Sequence, residues 1–205
     1  MFTLIKREIT DHIPHLILAV ALAATMVGLL VYFTLVDLDE GVAVLVSLGL
    51  FAIAGCCSMG IAQVYGDRAN KISPFLVTLP VTRAQILTAR LVTGVLAILI
   101  VLLPTVIAAT VLLDRYVPAL FFYWQAIVEV SLTLFLVALA CYCLGLLIGS
   151  STRKLLLVAA CLLVPFLMMT LVAVKGFGPQ AMAVLGLLIL AAVVRVVTKF
   201  SSTPL

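Results

Sequence analysis

Charged side chains are scarce in this sequence. Only 10% of its 205 residues are Asp, Glu, Lys or Arg, whereas 66% are hydrophobic. A soluble domain carries about 25% charged residues, and no soluble core of this length could bury so much apolar side chain. The scarcity therefore excludes a soluble protein and predicts a chain that lies in a bilayer. The net charge of +4 does not indicate nucleic-acid binding, because the basic residues are scattered at the ends of apolar runs.

The sequence also lacks the motifs of common catalytic sites. It contains no GxxxxGKS or GxxxxGKT phosphate loop, no HExxH and no GxSxG. Its two histidines, His12 and His15, have no acidic or cysteine cluster near them. We therefore expect no catalytic residue, no metal site and no cofactor on this chain, and we predict that it is not itself an enzyme.

Disulfide and metal-binding cysteine patterns are missing as well. None of the five cysteines forms a CxxC pair, and all five fall inside apolar runs: Cys56, Cys57, Cys141, Cys143 and Cys161. The pattern favours small, buried hydrophobic side chains over disulfides or metal ligands.

What the sequence does contain is six long apolar runs. They cover about residues 14–36, 41–64, 91–113, 122–149, 155–174 and 181–197. About 20 helical residues cross the roughly 30 Å hydrocarbon layer. We therefore predict an all-α fold, in which residues 1–205 form a single domain with six transmembrane helices. The first run is too long for a cleavable signal peptide, so we expect it to remain as a span.

Residues 1–13 precede the first run and have a different pattern. Four apolar residues recur at helical spacing, and charged residues and His12 lie elsewhere on the helical wheel; the apolar residues are Phe2, Ile5, Ile9 and Ile13. This pattern predicts an N-terminal amphipathic helix that lies in the headgroup region of the membrane. The alternative is a solvated N-terminal tail.

Basic residues predict the orientation of the chain. With six spans both termini share a side, and that side holds ten of the twelve basic residues: Lys6, Arg7, Arg68, Lys71, Arg83, Arg90, Arg153, Lys154, Arg195 and Lys199. The other side holds only Arg115 and Lys175. Since cytoplasmic loops are enriched in Lys and Arg, both termini are predicted to be cytoplasmic.

Two runs carry small residues at a spacing of four, which predicts close helix packing. These residues are Ala52, Cys56 and Gly60 in the second run, and Cys141, Gly145 and Gly149 in the fourth. Lipid gives helices no hydrophobic reason to associate, so close backbone contact of this kind is expected to hold the helices together.

One carboxylate lies within a predicted span. Glu129 follows Gln125 by one helical turn in the fourth run. A carboxylate there is costly unless it faces protein or water, so these two residues are candidates for a translocation path. The alternative is that Glu129 lies near the outer interface. A role as an intramembrane acid or base is disfavoured, because no partner base or metal site accompanies it.

The loop of residues 65–90 is polar and carries its own structural signals. Ser73 and Pro74 predict the start of a short helix, which Pro80 ends. Thr82 and Gln85 then have the spacing of a capping box and predict the start of a new helix. A loop with this much order indicates a docking element, whose apolar side chains are Phe75, Leu76 and Val77.

The segment FLVTLPVTRAQILTARL in this loop resembles the region that follows the second span in ABC-2 type transporter permeases. In that family an acidic residue precedes a leucine-rich segment, then Pro-Val-Ser/Thr-Arg, then Ile-Leu and a basic residue. The matching positions are Asp67, Phe75, Leu76, Leu79, Pro80, Val81, Thr82, Arg83, Ile86, Leu87 and Arg90. The six-span layout is similar at the level of architecture.

The resemblance implies a permease subunit of an ATP-binding cassette exporter in the bacterial cytoplasmic membrane. Such a subunit forms half of a translocation path and pairs with a second permease, identical or homologous. Two cytoplasmic ATPase subunits bind the ATP and Mg. The short loop helix would be the coupling helix, with these coupling residues: Asp67, Arg68, Lys71, Phe75, Leu76, Val77, Leu79, Pro80 and Arg83.

Two other functions share these sequence features. One is a membrane anchor or regulator that tethers an ATPase without transporting anything. The other is a haem-export-type permease of cytochrome c maturation, which is closer to this chain in size. The apolar spans favour a lipid, an amphipathic peptide or another hydrophobic compound as substrate over a sugar.

Overall fold

Six α-helices account for nearly all of the residues that the structure, a computed structural model, describes. The described ranges are 13–36, 38–69, 83–116, 120–149 and 154–202. The helices are α1 (Ile13–Val36), α2 (Leu38–Ala69), α3 (Arg83–Tyr116), α4 (Leu120–Gly149), α5 (Lys154–Lys175) and α6 (Pro179–Ser202). No strand occurs in these ranges, so the predicted all-α class is confirmed for them.

The segment between α2 and α3 is shorter than the predicted loop of residues 65–90. α2 continues to Ala69 and α3 begins at Arg83, where the capping pattern at Thr82 and Gln85 places a helix start. The end of an apolar run marks where a helix leaves the hydrocarbon, and the helix itself can continue beyond that point into water. The predicted interfacial helix falls almost wholly on residues 1–12, outside the described ranges, and the predicted short loop helix also lies outside them.

Four helices are long and apolar enough to cross a membrane. The segments that meet this description are Gln85–Leu112, Trp124–Gly149, Leu157–Lys175 and Pro179–Thr198. Among the described residues, the apolar parts of α1 and α2 are shorter, at Ile17–Tyr32 and Gly49–Tyr65. The lengths of α3 to α6 therefore agree with the roughly 30 Å of hydrocarbon that a span must cross.

Helix α4 is the central element of the bundle. In the most apolar part of α4, 56% of the residues are buried inside the bundle. The corresponding share is 11% in α3 and 22% in both α5 and α6. Its most extensive interface is with α2, and it also packs against α3, α5 and α6. Helix α1 lies at the edge against α2 and α3, and Ala23 is its only buried residue among those with described side chains.

Two apolar clusters form the core around α4. The first joins α2, α4, α5 and α6 and includes Cys57, Cys141 and Leu185. The second joins α2, α3, α4 and α6 and includes Tyr142 and Ile98. Large apolar side chains on the outer faces of α5 and α6, such as Leu162 and Leu187, are exposed, as expected of helices that contact lipid.

The cysteines lie in this bundle as free thiols. Cys57, Cys141 and Cys143 are buried, whereas Cys56 and Cys161 are partly buried. All five therefore lie within helices, and three of them are buried as predicted.

The connection between α5 and α6 is a tight turn over residues 176–178. Gly176 has a φ of 78°, a conformation that glycine adopts without steric cost. Its N–H donates to the carbonyl of Val172 at 2.8 Å and so ends α5. The two helices therefore form a hairpin with almost no intervening chain.

Candidate functional site

The predicted coupling residues lie at or beyond two helix ends. Asp67 and Arg68 belong to the last turn of α2, and Arg83 is the first residue of α3. The other predicted coupling residues lie outside the described ranges: Lys71, Phe75, Leu76, Val77, Leu79 and Pro80. The C-terminal end of α2 and the N-terminal end of α3 therefore flank the segment of residues 70–82.

A buried polar cluster lies just inside these two helix ends. It consists of Gln63 on α2, Arg90 on α3 and Tyr142 on α4, which are 2%, 3% and 0% exposed. Gln63 lies six residues before α2 ends, Arg90 seven residues after α3 begins and Tyr142 seven residues before α4 ends. Each residue is thus about 10 Å along its helix from the nearer end.

The hydroxyl group of Tyr142 joins the three helices. It donates to Oε1 of Gln63 at 2.6 Å and to the backbone carbonyl of Arg90 at 2.7 Å, so one proton is shared between two acceptors. A buried polar group that lacks a hydrogen bond destabilises the fold by about 1–3 kcal/mol, because no water can take the place of the missing partner. The hydroxyl therefore holds α2 and α3 to α4 at this depth.

Gly94 on α3 makes room for the tyrosine ring. A Cβ atom added at this position would overlap ring carbons of Tyr142, so only glycine allows the ring to lie so close to α3. Gly94 follows Arg90 by one helical turn, which places the ring and its hydroxyl along the same stripe of α3. Nearby, the hydroxyl of the fully buried Thr93 donates to the carbonyl of Ala89 at 2.8 Å.

Sequence reasoning did not find this cluster. Gln63 and Arg90 stand near the ends of their runs, where they look like interfacial residues, and Tyr142 is a single tyrosine in an apolar run. The available signal was that all three are polar groups at a similar distance from the same side of the membrane. That signal does not say which helices touch, because it contains no information about contacts.

The second predicted site, Glu129 and Gln125, lies towards the opposite end of α4. Nε2 of Gln125 donates to Oε1 of Glu129 at 3.3 Å, and the hydroxyl of Thr133 donates to the backbone carbonyl of Glu129 at 2.7 Å. Glu129 is partly buried, and its neighbours Val128 and Leu132 are exposed. Thirteen residues, about 20 Å of helix, separate Glu129 from Tyr142, so the two polar sites are distinct.

The structure brings the two predicted small-residue strips together. A Cβ atom on Gly60 would meet the backbone of Tyr142, one on Gly145 the carbonyl of Cys57, and one on Gly149 the carbonyl of Ile61 at 2.9 Å. Backbone therefore packs on backbone between α2 and α4.

The remaining members of the two strips lie around this contact. Cys141 is buried in the first core cluster, and Ala52 is partly buried. Cys56 is partly buried against the second cluster, whereas its neighbour Cys57 is the residue in contact with Gly145.

Hydroxyl groups on the helices bond mainly to their own backbone. Thr25, Thr105 and Thr170 each donate to a carbonyl three residues earlier on the same helix, at 2.8 to 2.9 Å. Such groups add little polarity to the outer surface. Among the described residues, no group of three or more His, Cys, Asp or Glu side chains could hold a metal ion.

Comparison with known proteins identifies the family. The sequence model of the ABC-2 family transporter proteins matches residues 3–203, which is nearly the whole chain. The chain belongs to the ABC-2 transporter family. Searches of curated proteins and of solved structures gave no match.

Family membership fits the features described above. An ABC-2 transporter protein is an integral membrane protein with apolar helical spans and works with an ATPase. The four apolar helices α3 to α6 agree with this role. In this ABC-2 protein, the Tyr142 cluster lies about two helical turns inside the ends of α2 and α3 that border residues 70–82.

Proposed function

We propose that this chain is the membrane permease subunit of an ATP-binding cassette exporter. The observation that carries the proposal is the family match over residues 3–203, joined to six apolar runs along the same length. In the proposed assembly all six helices cross the membrane, and the chain pairs with a second permease, identical or homologous. Each half contributes one side of the translocation path.

Two cytoplasmic ATPase subunits drive this assembly through residues 70–82. The apolar residues Phe75, Leu76 and Val77 supply an anchor, and basic residues on either side, Lys71 and Arg83 among them, supply charge pairing with the partner. ATP and Mg bind to the partner chains, so hydrolysis is not a reaction of the permease. The basic-residue distribution supports a cytoplasmic position for this segment and for both termini, in a bacterial inner membrane.

The translocation path runs along the face of α4 that carries Gln125 and Glu129. Val128 and Leu132, which lie beside these residues, are exposed. A carboxylate that faces lipid has a high free-energy cost. The face is therefore covered by the second permease or by water within the path. Because the exposed surfaces are otherwise mainly apolar, the substrate is a lipid, an amphipathic peptide or another hydrophobic compound.

Purification and reconstitution test this function. The tagged permease, purified from its native membrane in mild detergent, should bring a nucleotide-binding chain with it. In liposomes that contain a fluorescently labelled phospholipid, the complex should move the label between leaflets when ATP and Mg are added. ATP with vanadate serves as the matched control, because it traps the ATPase without turnover.

The possible results separate three functions. ATP-dependent movement of the phospholipid or of a labelled amphipathic peptide supports the exporter. A stable complex that hydrolyses ATP and moves neither compound would instead support a membrane anchor or regulator. A complex that moves haem alone would support a permease of the cytochrome c maturation type. Purification without any nucleotide-binding chain would contradict all three.

A further inference from the structure

Tyr142 adds a hydrogen-bonded connection to the apolar contacts between α3 and the rest of the bundle. α2 and α4 are held together by direct backbone packing at Gly60, Gly145 and Gly149. The interface of α3 with α2 is much smaller, and α3 has its most extensive contact with the peripheral helix α1. Tyr142 supplies a polar connection from the α2–α4 pair to α3, through the carbonyl of Arg90.

The same tyrosine lies where a force on residues 70–82 would be transmitted. That segment joins the C-terminal end of α2 to the N-terminal end of α3, so any displacement of it acts on both helices about 10 Å from the cluster. Apolar contacts of Leu87 and Ile98 with α4 can slide, whereas the hydrogen bonds of Tyr142 fix the position of α3 relative to α2 and α4 at this depth.

We infer that Tyr142 is a positioning residue for transport: its hydroxyl makes α2, α3 and α4 respond as one body when the ATPase moves residues 70–82. The inference rests on the proposed function for the source of the movement. The geometry of the connection itself is independent of that function. It consists of hydrogen bonds of 2.6 and 2.7 Å from one fully buried hydroxyl and the close fit of its ring at Gly94.

Tyr142→Phe removes the hydroxyl and keeps the ring, so it tests the connection with little change in packing. Tyr65→Phe is the matched control, because Tyr65 is a partly buried tyrosine two residues after Gln63 on α2. Gly94→Ala is a second variant that keeps the hydroxyl but forces the ring away from α3. If Tyr142→Phe and Gly94→Ala change the α3–α6 distance and the transport per ATP equally, both changes are due to the lost connection.

The direct measurement is a distance between α3 and α6, since α6 packs on α4 through the second core cluster. Spin labels on ketone-bearing amino acids at Val92 and Val197, both exposed, leave the native cysteines unmodified. In the wild-type complex we expect one narrow distance distribution that is the same without nucleotide and with ATP and vanadate. In Tyr142→Phe and Gly94→Ala we expect a broader distribution that changes with nucleotide.

Turnover provides the second measurement. The KM for ATP should stay unchanged in Tyr142→Phe, because the nucleotide site is on the partner chain. The number of labelled phospholipids moved per ATP hydrolysed should fall about fivefold, the effect of losing roughly one hydrogen bond of coupling. Tyr65→Phe should match the wild type in both respects.

Three results would overturn the inference. The first is a wild-type distance that itself shifts with nucleotide. The second is a narrow, unchanged distribution in both Tyr142→Phe and Gly94→Ala. The third is a Tyr142→Phe variant that only unfolds at lower temperature, with normal distances and normal transport per ATP. If no ATPase accompanies the permease, the proposed function fails, yet the distances without nucleotide still test the connection.

Discussion

The backbone of Gly145 lies directly against the carbonyl group of Cys57, and this contact joins the two most extensively packed helices, α4 and α2. Both sides of this contact are backbone and cannot swing away as a flexible side chain could. A methyl group at Gly145 can therefore be accommodated only if one helix moves. In a bilayer, where close packing rather than water drives helix association, such a shift weakens the whole interface.

Gly145→Ala is therefore expected to destabilise the protein by about 1–3 kcal/mol, the usual effect of overpacking. Thermal unfolding in detergent, followed by circular dichroism, measures the change. Gly55→Ala is the control on α2, because nothing lies within 4 Å of its added Cβ. It should be neutral or slightly stabilising, since alanine has a higher helix propensity than glycine. Equal midpoints for the two variants would contradict the close contact.

A charge in the segment between α2 and α3 should separate the permease from its ATPase. Phe75→Asp places a carboxylate on the proposed apolar anchor, so we expect at least about tenfold less ATPase to co-purify, the loss typical of a hot-spot residue. The helices should remain folded, because the change lies outside the spans. Phe177→Asp, in the exposed turn between α5 and α6, is the control and should retain the ATPase. Normal ATPase binding and transport in Phe75→Asp would remove the docking assignment.

Glu129→Gln distinguishes a path residue from an interfacial one. If Glu129 lines the path, loss of its charge should lower ATP-driven transport about tenfold, the value of one hydrogen bond to a charged group. ATPase binding and thermal stability should be unchanged. Asp114→Asn removes a carboxylate near the same side of the membrane, in the last turn of α3, and should transport normally. Unimpaired transport in Glu129→Gln would place this carboxylate at the outer interface instead.

The two ends of α6 should face opposite sides of the membrane. Gln180 and Thr198 are both exposed and lie near the first and last residues of this helix. In intact cells, a membrane-impermeant maleimide should label Gln180→Cys, whereas Thr198→Cys should react only after the membrane is permeabilised. The unsubstituted protein measures the background from the five native cysteines. The reverse labelling pattern would contradict the predicted orientation and, with it, the cytoplasmic position of residues 70–82.

The sequence was sufficient to predict the features that depend on local pattern. The apolar runs predicted helices with nearly the observed bounds for α1, α4, α5 and α6, and the capping pattern at Thr82 and Gln85 agreed with the start of α3 at Arg83. The two strips of small residues at a spacing of four predicted close packing, because the helical period places residues at that spacing on one face. The family followed from a short motif with a characteristic order of residues.

Features that depend on which helices meet could not be predicted in the same way. Lipid-facing and core-facing residues are equally apolar in a membrane protein, so hydropathy alone did not show that α4 is central and α1 peripheral. For the same reason Tyr142 resembled any other residue of its run, and its partners Gln63 and Arg90 resembled interfacial residues. The predicted strip on α2 contained Cys56, whereas the cysteine that meets Gly145 is Cys57, one residue later.

The three-residue bend at Gly176 has a mechanical consequence for the α5–α6 hairpin. A link of only three residues limits how far the two helix ends that it joins can separate in the bilayer. Leu185 anchors one arm in the core beside Cys57 and Cys141, while Leu157 and Val172 anchor the other. Because both helices pack on α4 and hardly on each other, a tilt of α4 should carry their joined ends together while their distant ends separate more freely.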